Sequence, residues 1–239
     1  MVLLWLTLVV MLAPPAFSGE RTAYDAKGVY IRAEDAVFYV RTLNENGQLK
    51  STATGFLVSP EGLAFTATHV VSGAARVQVL LPAGEEYDDV PVLMSSAATD
   101  IAMLRLPARE EPYPYLPVEE GLSLRGESAY AVGYALKAVK LMHDGIVSAP
   151  EAPINGTPRL LFTADLASGM SGGPIVSGYG TVIGIASATV RTMNGVSASP
   201  TTSQMWEAAD ICGCAEELYR ASGAAAAIGG EITALQKGR

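Results

Sequence analysis

The sequence predicts an all-β chain, with two successive units of short strands closed by a C-terminal helix. Three observations point there. Short apolar runs, bounded by Gly, Pro, Asn or charged residues, recur from Val37 to Ser197. A proline-bearing segment, Tyr113-Pro114-Tyr115-Leu116-Pro117, interrupts them near the middle. Beyond Thr201 the apolar spacing becomes helical.

Val2 to Leu12 is an apolar run in which Thr7 is the only hydroxyl, and Ala13-Pro14-Pro15 stops it. It falls well short of the roughly 20 apolar residues that a membrane-crossing helix needs. Ala16 and Ser18 place small residues at the −3 and −1 positions of a cleavage after Ser18, the pattern of a secretory signal peptide. No Lys or Arg precedes the run, and an uncleaved interfacial anchor is the alternative. The mature chain is expected to begin near Gly19 in a periplasmic or extracellular space, with no stable membrane span.

Strands are expected at Ala36 to Val40, Gly55 to Val58, Leu63 to Thr68, Val77 to Leu81, Val90 to Leu93 and Ile101 to Leu106. Asn44-Glu45-Asn46-Gly47 and Ser59-Pro60-Glu61-Gly62 read as turns. Past the proline segment, strands resume at Ser128 to Val132, Gly145 to Ser148, Leu160 to Thr163, Pro174 to Val176, Val182 to Ala188 and Gly195 to Ser197. Met205, Ala208, Ala209, Cys212, Ala215, Leu218 and Tyr219 then recur at helical spacing, with Thr201 and Gln204 as a capping box and Gly223 as a stop signal. The expected division is 1–18 signal peptide, 19–35 N-terminal segment, 36–112 first β unit, 113–120 linker, 121–200 second β unit, 201–222 helix and 223–239 tail.

Composition removes several functions. Sixteen basic against twenty-four acidic residues give a net charge of −8, which disfavours a nucleic-acid partner. Two His, two Cys and no Cys-x-x-Cys make no zinc framework. Cys212 and Cys214 fall on the expected helix, where side chains two apart do not face each other. Two thiols, with Cys212 in the core, are therefore preferred; a disulfide would need a helix break at Gly213.

Gly169-Met170-Ser171-Gly172-Gly173-Pro174 is the most informative stretch. A serine hydroxyl becomes nucleophilic only beside a base, and its oxyanion intermediate needs N–H donors. Glycines on both sides permit a sharp turn that aims backbone amides at one point; an ordinary glycine turn between strands has the same look. The α/β-hydrolase elbow orders its triad Ser, acid, His. Here both histidines, His69 and His143, precede Ser171, and the βαβ alternation is missing, so that fold is excluded. His69 ends an extended apolar run and Asp100 opens another. An imidazole to take the serine proton and a carboxylate to orient it complete the required set. His143-Asp144-Gly145 reads as a surface turn.

In this order and context the residues resemble a chymotrypsin-fold (trypsin-like) serine peptidase, in the style of the HtrA/Deg-type catalytic domain. The resemblance spans Ala36 to Ala209. It rests on Thr54-Gly55-Phe56-Leu57-Val58-Ser59-Pro60-Glu61-Gly62, Thr68-His69-Val70-Val71, Thr99-Asp100-Ile101-Ala102, Gly169 to Pro174 and Gly184-Ile185-Ala186-Ser187. It implies two six-stranded antiparallel β-barrels with the site between them, then a C-terminal helix. It also implies His69 as general base, Asp100 as its orienter and Ser171 as nucleophile. The N–H groups of Gly169 and Ser171 would form the oxyanion hole, and Ser187 would bond near the Asp100 carboxylate. Substrate would lie extended along Ser187, Ala188 and Thr189. Asp165, six residues before Ser171, stands where trypsin has the acid of its specificity pocket, with Gly195 opposite and Thr189 narrowing it; a turn cap at a strand end is the competing reading for Asp165. Met170 replaces the Asp that a trypsin zymogen pairs with its new N-terminus, so no activation of that type is expected. About thirty residues past Ala209 are too few for a PDZ domain. The expected activity is exported endopeptidase action on polypeptides, without metal or organic cofactor. The alternatives are a catalytically silent peptide- or protein-binding relative and an esterase using the same site.

Overall fold

The computed structural model describes residues 21–135, 139–187 and 196–223. The expected signal peptide, most of the tail, and Ala188, Thr189 and Gly195 lie outside the described residues.

The chain enters through helix α1 (Ala26–Ala33), capped by the Asp25 carboxylate, which accepts from the Gly28 N–H at 2.7 Å. Strands β1 (Val37–Leu43), β2 (Leu49–Leu57) and β3 (Leu63–Ala67) follow, then the single-turn helix α2 (Thr68–Val71). The first unit is completed by β4 (Arg76–Leu80), β5 (Glu86–Tyr87), β6 (Val92–Ser96) and β7 (Ile101–Arg105). These make one antiparallel sheet in the order β5-β4-β1-β2-β3-β7-β6. It counts seven strands where six are expected because the two residues of β5 pair with the end of β4. The second sheet uses β8 (Ser128–Ala135), β9 (Val139–Ile154), β10 (Thr157–Phe162), β11 (Pro174–Ser177), β12 (Val182–Ile185) and β13 (Ser197–Ser199), in the order β12-β11-β8-β9-β10-β13. Both sheets curl on themselves as half-barrels of a chymotrypsin-like two-barrel fold.

Why the strands read as unbroken apolar runs is clear from their packing. Successive side chains of a strand point to opposite faces, so a strand buried on both faces shows no polar alternation. In β7, Ala102 and Leu104 fill the first barrel, while Ile101 and Met103 face the second. Leu63 and Phe65 against Ala64 in β3 do the same, and so do Tyr130 and Val132 against Ala129 and Ala131 in β8. Three cores result: one inside each sheet and one between them. Phe38, Phe56, Phe65 and Phe162 are fully buried across the three. Each such burial stabilises by roughly 1.5–3 kcal/mol. An exposed ion pair contributes up to about 1 kcal/mol, so apolar contact dominates.

Helix α3 (Thr202–Ile211) starts with the capping box of Thr201 and Gln204 and packs Met205, Ala208 and Ala209 into the core between the sheets. The expected single helix is corrected here. α3 stops at Ile211, Gly213 takes φ +73°, and residues 215–223 form a second helical segment. That turn lets Cys212 and Cys214 face each other, and they form a disulfide rather than two thiols. His143 is also corrected: it sits inside β9 opposite Ala131, not in a turn.

The second helical segment is fastened to the first sheet by Glu217. Its carboxylate takes two hydrogen bonds from Arg105, both 2.8 Å, and one from the Ser59 hydroxyl. Burial pushes this carboxyl up, but the Arg105 and Ser59 hydrogen bonds outweigh it and hold its pKa below the usual value. A depressed pKa stabilises the fold above the unfolded-state value and loses that contribution as pH falls through the folded-state value. Glu217→Gln is expected to cost roughly 1–3 kcal/mol at pH 7. In thermal melts at several pH values, the gap between variant and parent should close below about pH 4.

Candidate active site

The pairing of β3 with β7 creates the first half of the site. Ala67 lies opposite Ile101, so the residues just past each strand end, Thr68-His69 and Asp100, meet at one edge although 31 positions separate His69 from Asp100. The Thr68 N–H donates to the Asp100 carbonyl at 3.2 Å. The His69 N–H donates to Asp100 Oδ1 at 2.9 Å, and His69 Nδ1 lies 2.8 Å from Oδ2 and 3.1 Å from Oδ1. The Ser187 hydroxyl donates to Oδ2 at 2.6 Å from the second sheet. Asp100 is buried, whereas the His69 side chain is 35% exposed. Burial alone would raise the Asp100 pKa, but hydrogen bonds from the His69 ring, the Ser187 hydroxyl and the His69 N–H hold it below the ordinary carboxylate range. Such an acid stays ionised at neutral pH and fixes the imidazole with Nδ1–H towards it, leaving Nε2 free to accept a proton.

Asp100 adopts φ +65°, a left-handed conformation that non-glycine residues seldom take. The surrounding hydrogen bonds hold it there. The Asp100 N–H donates to the Ser96 carbonyl at 2.8 Å. From β10, the buried Arg159 donates to the carbonyls of Thr99 at 2.7 Å and Ala98 at 3.1 Å. An Arg directly before the apolar run Leu160 to Phe162 is the signal that could have drawn attention to this clamp.

The Ser171 loop supplies the other half. Gly172 has φ +85°, and a Cβ there would lie 2.3 Å from the Thr54 carbonyl oxygen, 2.3 Å from Thr66 Oγ1 and 2.8 Å from the Ala67 nitrogen. Only glycine permits that approach, which seats the Ser171 loop against the end of β3, two residues before His69. Gly169, at φ +98°, similarly abuts the Tyr134 carbonyl. Met170 is fully buried among Ala164, Phe162 and Ile175 in the second barrel's core. Packing of this side chain therefore braces the loop. Among the described residues, no backbone carbonyl accepts from the N–H of Gly169 or of Ser171.

The specificity residues are less completely placed. Asp165 is solvent-exposed, and its backbone carbonyl pairs with His143 Nδ1 at 2.9 Å. That histidine contact has no counterpart in the sequence reading. Among the described residues, no cluster of His, Cys, Asp and Glu is arranged to hold a metal ion.

The family model described as "Trypsin-like peptidase domain" matches residues 53–185. Among curated proteins, the chain is similar to "Serine protease HTRA2, mitochondrial" of Bos taurus, at 36% identity over 62% of this chain and 33% of that protein. It is also similar to "Probable periplasmic serine endoprotease DegP-like" of Chlamydia pneumoniae, at 29% identity over 74% of this chain and 38% of that protein. The chain thus spans about a third of the length of these curated relatives. Among solved structures, a serine endoprotease from Yersinia pestis matches with a TM-score of 0.69 at 23% identity, covering 80% of this chain and 67% of that one, which shows the shared fold.

Gly172→Ala should disrupt this site more than its single methyl suggests. Forcing a Cβ into backbone at 2.3 Å, at a positive φ, is expected to destabilise by at least roughly 1–3 kcal/mol. Thermal unfolding measures the loss, and a variant as stable as the parent would contradict the packing described.

Proposed function

Because the chain belongs to the trypsin-like peptidase domain family, we propose that it is an exported serine endopeptidase working through His69, Asp100 and Ser171. One observation carries the reading. The His69 ring is held by a buried, doubly supported Asp100 carboxylate at the same edge on which glycine packing seats the Ser171 loop. In the proposed reaction, His69 Nε2 takes the Ser171 hydroxyl proton as Oγ attacks a peptide carbonyl. The N–H groups of Gly169 and Ser171 receive the oxyanion. The imidazolium returns its proton to the departing amine, leaving an acyl-enzyme. A water molecule, deprotonated by the same His69, releases the acid product and restores the serine. Asp100 stays charged throughout and stabilises the imidazolium.

Export rests on the apolar segment ahead of Ser18, and the periplasmic naming of DegP-like relatives agrees with it. Among the described residues no helix is long and apolar enough to cross a membrane. For specificity we keep Asp165 as the candidate acid for Arg or Lys side chains, with Ser187, Ala188, Thr189 and Gly195 beside the bound peptide.

A fluorophosphonate probe should label the purified chain on Ser171, with casein cleaved in parallel. Ser171→Ala should abolish labelling, and Ser171→Ala and His69→Ala should each lower turnover by about 10³-fold or more. Labelling without proteolysis would indicate an esterase, and an unlabelled folded chain a silent binder. The proposed general base works only in its uncharged form, so activity is expected to fall on acidification. Asp100 adds no second transition near neutrality because its carboxyl is held low. A peptide-library profile reads the pocket: Asp165→Ser should erase a preference for Arg or Lys, and an unchanged profile would retire that assignment.

A further inference from the structure

Thr54 directs both its N–H and its hydroxyl to the machinery across the barrel interface. It lies in β2, fully buried, on the strand face that looks away from the first barrel's own core. Its N–H donates to the Ser171 carbonyl at 2.9 Å. Its hydroxyl donates to the Gly169 carbonyl at 2.9 Å and accepts from the Tyr134 N–H at 2.8 Å. Its own carbonyl accepts from the Thr66 hydroxyl at 2.8 Å. One side chain of the first sheet thus grips the second sheet at two places, 115 and 80 positions along the chain.

We propose that Thr54 is a positioning residue for Ser171, holding the loop in the form that presents both the nucleophile and its oxyanion donors. The proposal rests on the reading of Ser171 as nucleophile. The physical reason lies in the peptide planes. The Gly169 carbonyl belongs to the plane joining residues 169 and 170, and the Ser171 carbonyl to the plane joining 171 and 172. Thr54 pins both. Between them sits the plane carrying the Ser171 N–H, already restrained by the burial of the Met170 side chain. Without these restraints, a loop built on Gly169, Gly172 and Gly173 has soft dihedrals, and its planes can rotate at little cost. The hydroxyl must donate and accept at once while filling a small buried space. Serine can replace that function, and valine, with threonine's shape but no hydroxyl, cannot.

Thr54→Val, Thr54→Ser and the parent chain should be compared by three measurements: the second-order rate of fluorophosphonate labelling, kcat and KM on a fluorogenic peptide, and the thermal midpoint. For Thr54→Val, labelling rate and kcat are expected to fall together by about tenfold to several hundredfold, as when an oxyanion donor is misplaced. KM should stay within about twofold, since substrate ground-state contacts are not made by this loop's planes. Thr54→Ser should recover most of the rate. A merely structural role would lower the midpoint and the active fraction without slowing the labelling of each folded molecule. Should Thr54→Val fail to fold, Thr54→Ala is read in its place, with the same expectation. A folded Thr54→Val or Thr54→Ala that is labelled at the parent's rate overturns the proposal. If the parent itself is neither labelled nor active, the nucleophile reading falls and this proposal with it, an outcome distinct from equal reactivity of parent and variant.

Discussion

The contact between the two sheets is the constraint on which the rest of the molecule depends. His69 and Asp100 stand at strand ends of the first sheet, and Ser171 and Ser187 lie beside the second, so neither sheet holds all the residues of the proposed site. Apolar packing brings the sheets together, but packing is not directional and tolerates small sliding. Register comes from hydrogen bonds that cross the seam. Thr54 reaches from the first sheet to the carbonyls of Gly169 and Ser171. Ser187 and Arg159 reach back to Asp100 and the carbonyls before it. Each of these donors is buried, where an unmade hydrogen bond costs about 1–3 kcal/mol, so slippage is opposed at several points together.

Double burial also explains how strain is tolerated at Asp100. A left-handed non-glycine residue survives when its surroundings over-determine it. Here the β3–β7 ladder sets the height of the residue, Ser96 accepts its N–H, and Arg159 holds the two preceding carbonyls. The carboxylate is then delivered to the His69 ring and Ser187 hydroxyl. The arrangement costs the burial of a guanidinium, and the carbonyls of Ala98 and Thr99 offset part of that cost.

Much of this was readable in the chain before any coordinates. The strands were visible because burial on two faces leaves apolar runs that few other structures produce. The residues of the proposed site stand out in the sequence because Ser171 sits among glycines, and His69 and Asp100 fall at the ends of apolar runs. Other features left weaker traces. Helix α1 is short, carries Gly28 inside it, and buries only Val29 and Ala33, too little for a periodic pattern. Strand β9 runs through Pro150 and Pro153, which argue against a strand; its first half pairs with β8 and its second with β10. The Asn155-Gly156 turn that follows it is a recognisable hairpin signal. The break at Gly213 is hard to read locally because helical spacing continues on both sides of it. The partnerships of Thr54 and Arg159 were hidden for a simpler reason. Their acceptors lie 115 and 60 positions away, and nothing local to either residue announces them.

The buried methionine before Ser171 bears on when such a site is ready. A brace made from a salt link to a freshly cut chain end exists only after the cut. A thioether packed among alanines and isoleucine is in place as soon as the second barrel has condensed. The brace is thus supplied by the same barrel core that carries the Ser171 loop.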